Sequence, residues 1–248
     1  MRALFCLLLA ALGLSASAQD EWRVPFISTP DPVVERMLAF AGTRAEDYVV
    51  DLGSGDGRIV IAAARRFGAR GLGIELDEAL VRISRDNAQR AGVADRARFV
   101  QGDVLTADFS RATVVTVYLL PDLIGRLQPR FLTDLKPGTR IVSHAFRMTG
   151  WRPDASETLR VAGAHPGQGD DSTLYLWIVP AEVRGTWRGA GMRVRIEQNF
   201  QEIDVAGATE AVLRGSDIRW RTANGSFHGS VRGDRIIGDD GRVLERER

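Results

Sequence analysis

The 248-residue sequence predicts an α/β protein, with a doubly wound, mostly parallel seven-stranded sheet followed by a small antiparallel β domain. Three observations carry this expectation. Apolar runs of strand length alternate with amphipathic helical stretches between residues 32 and 144, the rhythm of a parallel sheet wound by crossover helices. One run, Val49 to Asp51, enters a glycine-rich turn that opens directly into a helical pattern. From Pro180 onward the helical period disappears, and short alternating runs replace it.

Taken in order, a proline-led helix Pro32–Phe40 precedes strand Tyr48–Asp51, helix Arg58–Phe67, strand Gly71–Glu75 and helix Glu78–Ala91. Strand Ala97–Gln101, strand Ala112–Val117, helix Asp122–Leu135 and strand Arg140–His144 continue the winding. Thr158–Val161 and Thr173–Val179 are expected to close the sheet as an antiparallel hairpin, separated by a loop from Gly163 to Gly169. Beyond Pro180, strands are expected at Gly185–Trp187, Met192–Phe200, Ile203–Val205, Glu210–Arg214, Ile218–Thr222 and Ser226–Val231, with Asn224-Gly225 as a hairpin turn. A meander of about 65 residues is marginal alone and is expected to pack on the larger domain. The implied division is a leader over residues 1–18, a main domain over 24–179 and a β-rich unit over 180–248.

The turn Asp51-Leu52-Gly53-Ser54-Gly55-Asp56-Gly57-Arg58 has the layout of a nucleotide cradle. Its acids narrow the choice of ligand. Asp51 and Asp56 would repel a pyrophosphate, the spacing misses G-x-G-x-x-G, and no Gly-Lys-Ser/Thr completes a phosphate loop. A ligand with a cationic end fits better. Glu75 ends the next strand, where a carboxylate accepts from ribose hydroxyls, and Asp103 follows the third, within reach of an adenine amino group.

With DLGSGDGR, GIELD and FVQGDV in these places, the chain resembles the class I S-adenosylmethionine-dependent methyltransferases over about residues 24 to 155. The resemblance implies a Rossmann-like fold and S-adenosyl-L-methionine as cofactor. By position, Asp51, Gly53, Ser54, Gly55 and Gly57 would cradle its methionine part, Glu75 its ribose and Asp103 its adenine. Pro25-Phe26-Ile27-Ser28-Thr29-Pro30 and Thr116-Val117-Tyr118-Leu119-Leu120-Pro121 further resemble the mitochondrial ATP synthase c-subunit lysine methyltransferases and their bacterial relatives. That likeness implies protein-lysine N-methylation, with Phe26, Ser28, Thr29, Leu120 and Pro121 closing the site. A proline-rich lead-in that staples the first helix is the plainer reading of the Pro-Phe segment. Two further readings stay open: methylation of a small molecule under a lid of C-terminal strands, and an exported binding protein that keeps the fold without the reaction.

Tyr118 stands where amino-group methyltransferases of DNA bases or glutamine carry Asn/Asp-Pro-Pro-Tyr, a tetrad this chain lacks. It is expected to line a pocket that lowers a lysine pKa by desolvation, or to pack on the core. His144, at the end of the fifth strand, is a candidate acceptor of the departing proton or a structural hydrogen bonder. No spacing of histidines or cysteines predicts a metal site.

Net charge is only +1 and arginines are spread along the chain, so nucleic acid is not expected as a partner. The expected partner is a protein with a reactive lysine, a membrane protein among the candidates. Met1-Arg2, an apolar stretch to Leu14 and Ala16-Ser17-Ala18 read as a secretory signal or a membrane anchor. The protein is accordingly expected to be exported to the periplasm or tethered by this segment, in conflict with a cofactor made in the cytosol. The one cysteine, Cys6, lies inside that stretch.

Overall fold

The computed structural model describes residues 27–165 and 169–247. The leader and Phe26 lie outside the described residues. The first sheet has the order β3-β2-β1-β4-β5-β7-β6, built from β1 Tyr48–Leu52, β2 Arg70–Glu75, β3 Ala97–Gln101, β4 Val114–Val117, β5 Arg140–His144, β6 Ala155–His165 and β7 Gly169–Ile178. Strands β1 to β5 pair in parallel, while β7 runs antiparallel to β5 and β6. The order switches at β1, between β2 and β4, and such a switch opens a crevice beyond the carboxyl ends of the strands.

Successive strand residues point to opposite faces, so Val49 and Val50 serve different cores. Val49 packs with Val33 and Met37 of α1 (Asp31–Phe40) and Ile59 of α2 (Arg58–Phe67). On the same side, Val81 and Ala88 of α3 (Glu78–Arg90) meet Phe99 of β3. Val50 instead meets Ile124, Leu127 and Phe131 of α4 (Pro121–Thr133). Sequence marks these helix ends well: Asp77 caps α3 by accepting from the Ala79 amide, and left-handed Gly68 stops α2.

Among the described residues, α4 is the one helix on that second face, and loops do the rest of the covering. Phe109, from the segment between β3 and β4, lies 5.9 Å from the Phe131 ring. The connector from β5 to β6 contains no helix, and its fully buried Trp151 lies 6.3 Å from Trp177 of β7.

β6 is longer than the expected Thr158–Val161 run and enters the segment read as a loop. Its polar residues conceal it, because the strand is defined by its ladder with β7, from Ala155 opposite Leu176 to Arg160 opposite Asp171. Residues 166–168 of the expected loop lie outside the described residues.

The C-terminal unit is more complete than a meander. Its eight strands are β8 Gly185–Gly189, β9 Met192–Asn199, β10 Glu202–Val205, β11 Ala208–Arg214, β12 Asp217–Thr222, β13 Gly225–Arg232, β14 Arg235–Gly238 and β15 Val243–Arg246. The last strand returns to the first, with Arg246 opposite Trp187, and β10 lies beside β11 at the remaining seam. The result is a nearly closed up-and-down barrel. β14 and β15 escape a periodicity reading because Ile236 and Leu244 are almost the only inward aliphatics among charged neighbours. Inside, Trp220 stacks on its cross-strand partner Phe227 at 4.1 Å, and the Arg246 guanidinium caps Trp187 at 4.5 Å.

Phe200, expected inside a strand, instead forms the β9–β10 turn at φ +54° and docks the barrel on the larger domain. Its ring stacks on Trp151 at 5.2 Å and 5°. Gln201 accepts from Trp151 Nε1 at 2.8 Å and donates to the Arg152 carbonyl at 2.7 Å. The barrel thereby seals the sheet face that the helix-free connector leaves thinly covered.

Candidate active site

β1 delivers Asp51 to the crevice and hands over to a turn whose Gly53, Gly55 and Gly57 all have positive φ, +79°, +53° and +83°. Side chains would not fit there: a Cβ on Gly53 would lie 2.7 Å from Leu119 Cδ2, and one on Gly57 2.6 Å from Phe99 Cζ. The amides of Gly53 and Ser54 both donate to the Ile74 carbonyl, which straps the turn to β2. Ser54 is buried, and among the described residues its hydroxyl has no hydrogen-bond partner.

Asp51 is almost fully buried and accepts from Thr116 Oγ1 at 2.7 Å. Burial pushes its carboxyl up to about 7, and the negative charges of Glu75 and Asp56 add to this, while the Thr116 bond opposes it. Glu75 Oε2 accepts from the Gly55 amide at 2.8 Å and Oε1 from the Asp77 amide at 3.0 Å, which fixes the carboxylate over the turn. Asp103, after β3, is exposed and accepts from the Leu105 amide at 2.9 Å. Arg130 of α4 holds that loop by donating to the Leu105 and Ala107 carbonyls.

Tyr118 follows β4 and His144 ends β5, and pairing of these strands brings their rings to 4.3 Å. His144 is inaccessible to solvent, and its Nδ1 lies 3.3 Å from Thr29 Oγ1. Burial raises the Tyr118 phenol above its ordinary pKa. Arg58 pairs with Asp56 at 2.6 Å and donates to the Thr29 carbonyl at 2.9 Å, fastening the N-terminal segment to the glycine turn.

The structure therefore brings Ser28, Thr29, Asp51, Gly53, Ser54 and Tyr118 to one small cleft. Glu75 and Asp103 stand at the two neighbouring strand ends. Leu120 and Pro121 lie at the start of α4, both exposed, and do not line that cleft. Among the described residues no three His, Cys, Asp or Glu side chains are grouped to hold a metal ion.

A family profile described as the ANTKMT methyltransferase domain matches residues 51–155, the stretch that carries the turn and all three acids. A protein-lysine N-methyltransferase of Saccharolobus islandicus is 40% identical over 157 residues, which cover 63% of this chain and 94% of that protein. The chain belongs to this family of S-adenosylmethionine-dependent methyltransferases. The Xenopus laevis ATP synthase c-subunit lysine N-methyltransferase is 34% identical over 151 residues, 61% of this chain, and the chain spans 66% of that protein's length. Among solved structures, an RNA methyltransferase from Salinibacter ruber in complex with S-adenosyl-L-homocysteine is 50% identical, with a TM-score of 0.57, covering 63% of this chain and 96% of that one.

The residues of this methyltransferase fit its cofactor, S-adenosylmethionine. A buried carboxyl at Asp51, raised by burial to about 7, is a natural partner for an ammonium group. Each Glu75 oxygen keeps a lone pair for a ribose hydroxyl after accepting its backbone amide. Leu76, 60% exposed directly after Glu75, offers an apolar surface at the end of β2. Residue order alone does not single out Leu76, Thr116, Arg58 or Arg130. For Leu76 the available signal is an exposed leucine after a strand-end acid. The other three depend on partners between 25 and 65 residues away.

Proposed function

We propose that this methyltransferase modifies the side-chain amine of a lysine in a protein. The observation that carries the reading is the position of Tyr118. It lines the cleft together with Asp51 and Gly53, has the aromatic rings of His144 and Phe146 beside it, and belongs to a strand-end Tyr-Leu-Leu-Pro without an amide or carboxylate. Such a wall suits an amine that must shed its proton, since a poorly hydrated ammonium has a lowered pKa. The names of the Saccharolobus and Xenopus relatives support the same substrate class.

The bound cofactor supplies an electrophilic methyl group on a sulfonium. Asp51, the glycine turn and Glu75 hold it in place, and the work of the chain is alignment of the amine with that methyl. The amine would have to shed its proton to solvent before its nitrogen could meet the methyl group that the cofactor would supply. His144, sealed from solvent and set against Thr29, acts in this scheme by positioning Tyr118.

The Salinibacter relative is an RNA methyltransferase by name, which makes RNA the rival substrate. Tritium-labelled cofactor incubated with cell extract separates the cases. Label in protein that hydrolysis releases as methyl-lysine is the expected result, and label confined to RNA or small metabolites would overturn it.

We further propose that the N-terminal segment exports or tethers the enzyme near a membrane-protein substrate. Mass spectrometry of the mature N-terminus in fractionated cells tests this, and an intact chain found only in the soluble cytosol would refute it. No helix among the described residues is long and apolar enough to cross a membrane.

A further inference from the structure

On the helical face of the larger domain, α2 packs between α1 and α3, and a groove of about 630 Å³ runs over the three. On α2, Arg58, Ile61, Ala62 and Arg65 recur at intervals of three and four residues and so share one helical face. The sheet side of α2 is taken by Ile59, Val60 and Ala63, which leaves this face to the groove. Ile61 and Ala62 are half-buried there, and Val34 of α1 and Ala91 at the end of α3 extend the apolar lining.

Four arginines and two acids complete the lining. Both acids already have partners, since Glu35 pairs with Arg66 at 2.6 Å and Asp31 lies 3.7 Å from Arg58. Arg65 forms no ion pair among the described residues, and Arg90 donates to the neutral Asn87 side chain at 2.6 Å instead of to a carboxylate. Two exposed guanidinium groups thus stand beside apolar surface with their charge unanswered.

Arginine clusters recognise acidic segments of other proteins, because the guanidinium fork matches a carboxylate in both geometry and charge. A groove of this volume takes several side chains. RNA fits it poorly: the lining offers no aromatic ring to a base and sets two carboxylates against phosphate. A flat lipid surface would leave the half-buried Ile61 and Ala62 uncovered.

We propose that the groove over α1, α2 and α3 docks an acidic, partly apolar segment of a protein partner. Arg58 lines both the groove and the cleft that holds Asp51 and Tyr118, so a segment bound here lies beside the reaction site. That this partner is also the substrate rests on the lysine reading; the surface and its chemistry do not.

Fluorescence polarisation with full-length protein and a labelled peptide, Glu-Leu-Glu-Glu-Leu-Glu, tests the proposal beside a control with lysine at every glutamate. The wild type is expected to bind the acidic peptide and not the basic one. Arg65→Glu combined with Arg90→Glu should weaken binding roughly 10-fold or more, the effect of losing charged hydrogen-bond donors. Ile61→Ser should weaken it by a smaller factor. S-Adenosylhomocysteine affinity, measured by calorimetry, should stay unchanged in these variants and so report an intact fold. No binding of the acidic peptide by the wild type, or equal binding by the folded double variant, would overturn the proposal. So would binding of phosphatidylglycerol vesicles or a short RNA, lost in the double variant, where the peptide does not bind. Peptide binding together with methyl label confined to RNA would sink the lysine reading and leave the groove standing, while methyl-lysine without peptide binding would do the reverse.

Discussion

The Gly55 amide donates to Glu75 Oε2 at 2.8 Å, tying the glycine turn after β1 to the acid that ends β2. This bond explains how two segments 20 residues apart present one surface to the cofactor. It also makes Glu75 a brace for the turn.

Replacing Glu75 with alanine should therefore weaken S-adenosylmethionine binding by roughly 10- to 100-fold, the effect of removing one or two hydrogen bonds to a charged acceptor. Glu75→Gln, which keeps one acceptor oxygen, should fall between wild type and alanine. Calorimetry on folded protein measures both, and unchanged affinity in Glu75→Ala would count against the site.

Asp51 sets a pH dependence. Its carboxyl is raised to about 7 by burial, so without cofactor the folded state retains a proton that the unfolded chain has lost. Stability should accordingly fall as pH rises from the ordinary aspartate value toward about 7, and level off above it. Cofactor affinity should move the other way, increasing as Asp51 ionises. Asp51→Asn should flatten both profiles, as followed by thermal melts and by calorimetry between acidic and mildly alkaline pH. A wild-type affinity that does not change with pH would show that the carboxyl does not meet the ammonium.

Phe200 joins the barrel to the catalytic domain through its stack on Trp151 at 5.2 Å. Phe200→Ala should lower stability by about 2–3 kcal/mol, combining lost burial with a lost aromatic pair. Because neither ring lines the cleft that holds Asp51 and Gly53, cofactor affinity of the folded variant should change little. Chemical denaturation and calorimetry together test this pairing, and a neutral variant would mean that the barrel docks by other contacts.

His228, on the barrel surface, has Nε2 2.7 Å from Asp217 and Nδ1 2.7 Å from Asp239. The hydrogen bond and charge of Asp217, with Asp239, raise its pKa, so the folded state holds the imidazolium proton more tightly than the unfolded chain. That contribution is fully present below the ordinary histidine value and fades as pH rises through the raised one. His228→Gln should remove this part of the pH dependence, seen as a flatter melting-temperature profile around neutrality, with little effect below the level of an exposed ion pair. A wild-type profile with the opposite slope would exclude the clamp.

The strand-end acids could be read from residue order because each follows an apolar run and precedes a helix or turn within a few positions. Asp51, Glu75 and Asp103 needed only the alternation of patterns and the glycines between them. Tyr118 and His144 could be placed at neighbouring strand ends in the same way. Their contact at 4.3 Å, and the burial of His144 behind Thr29, required the parallel register of β4 and β5.

Local information was thus enough for the order of elements in the larger domain, the glycine turn and the class of ligand, since periodicity and glycine backbone freedom act over a handful of residues. Tertiary structure decided the return of β15 to β8, the bond from Trp151 to Gln201 50 residues away and the φ of +67° at Ala145, just after β5. Those features arise when distant segments meet and constrain one another, and an alanine with positive φ has the same side chain as any other. The physical divide is range: short-range preferences are written in neighbouring residues, while packing partners are selected only once the chain has closed on itself.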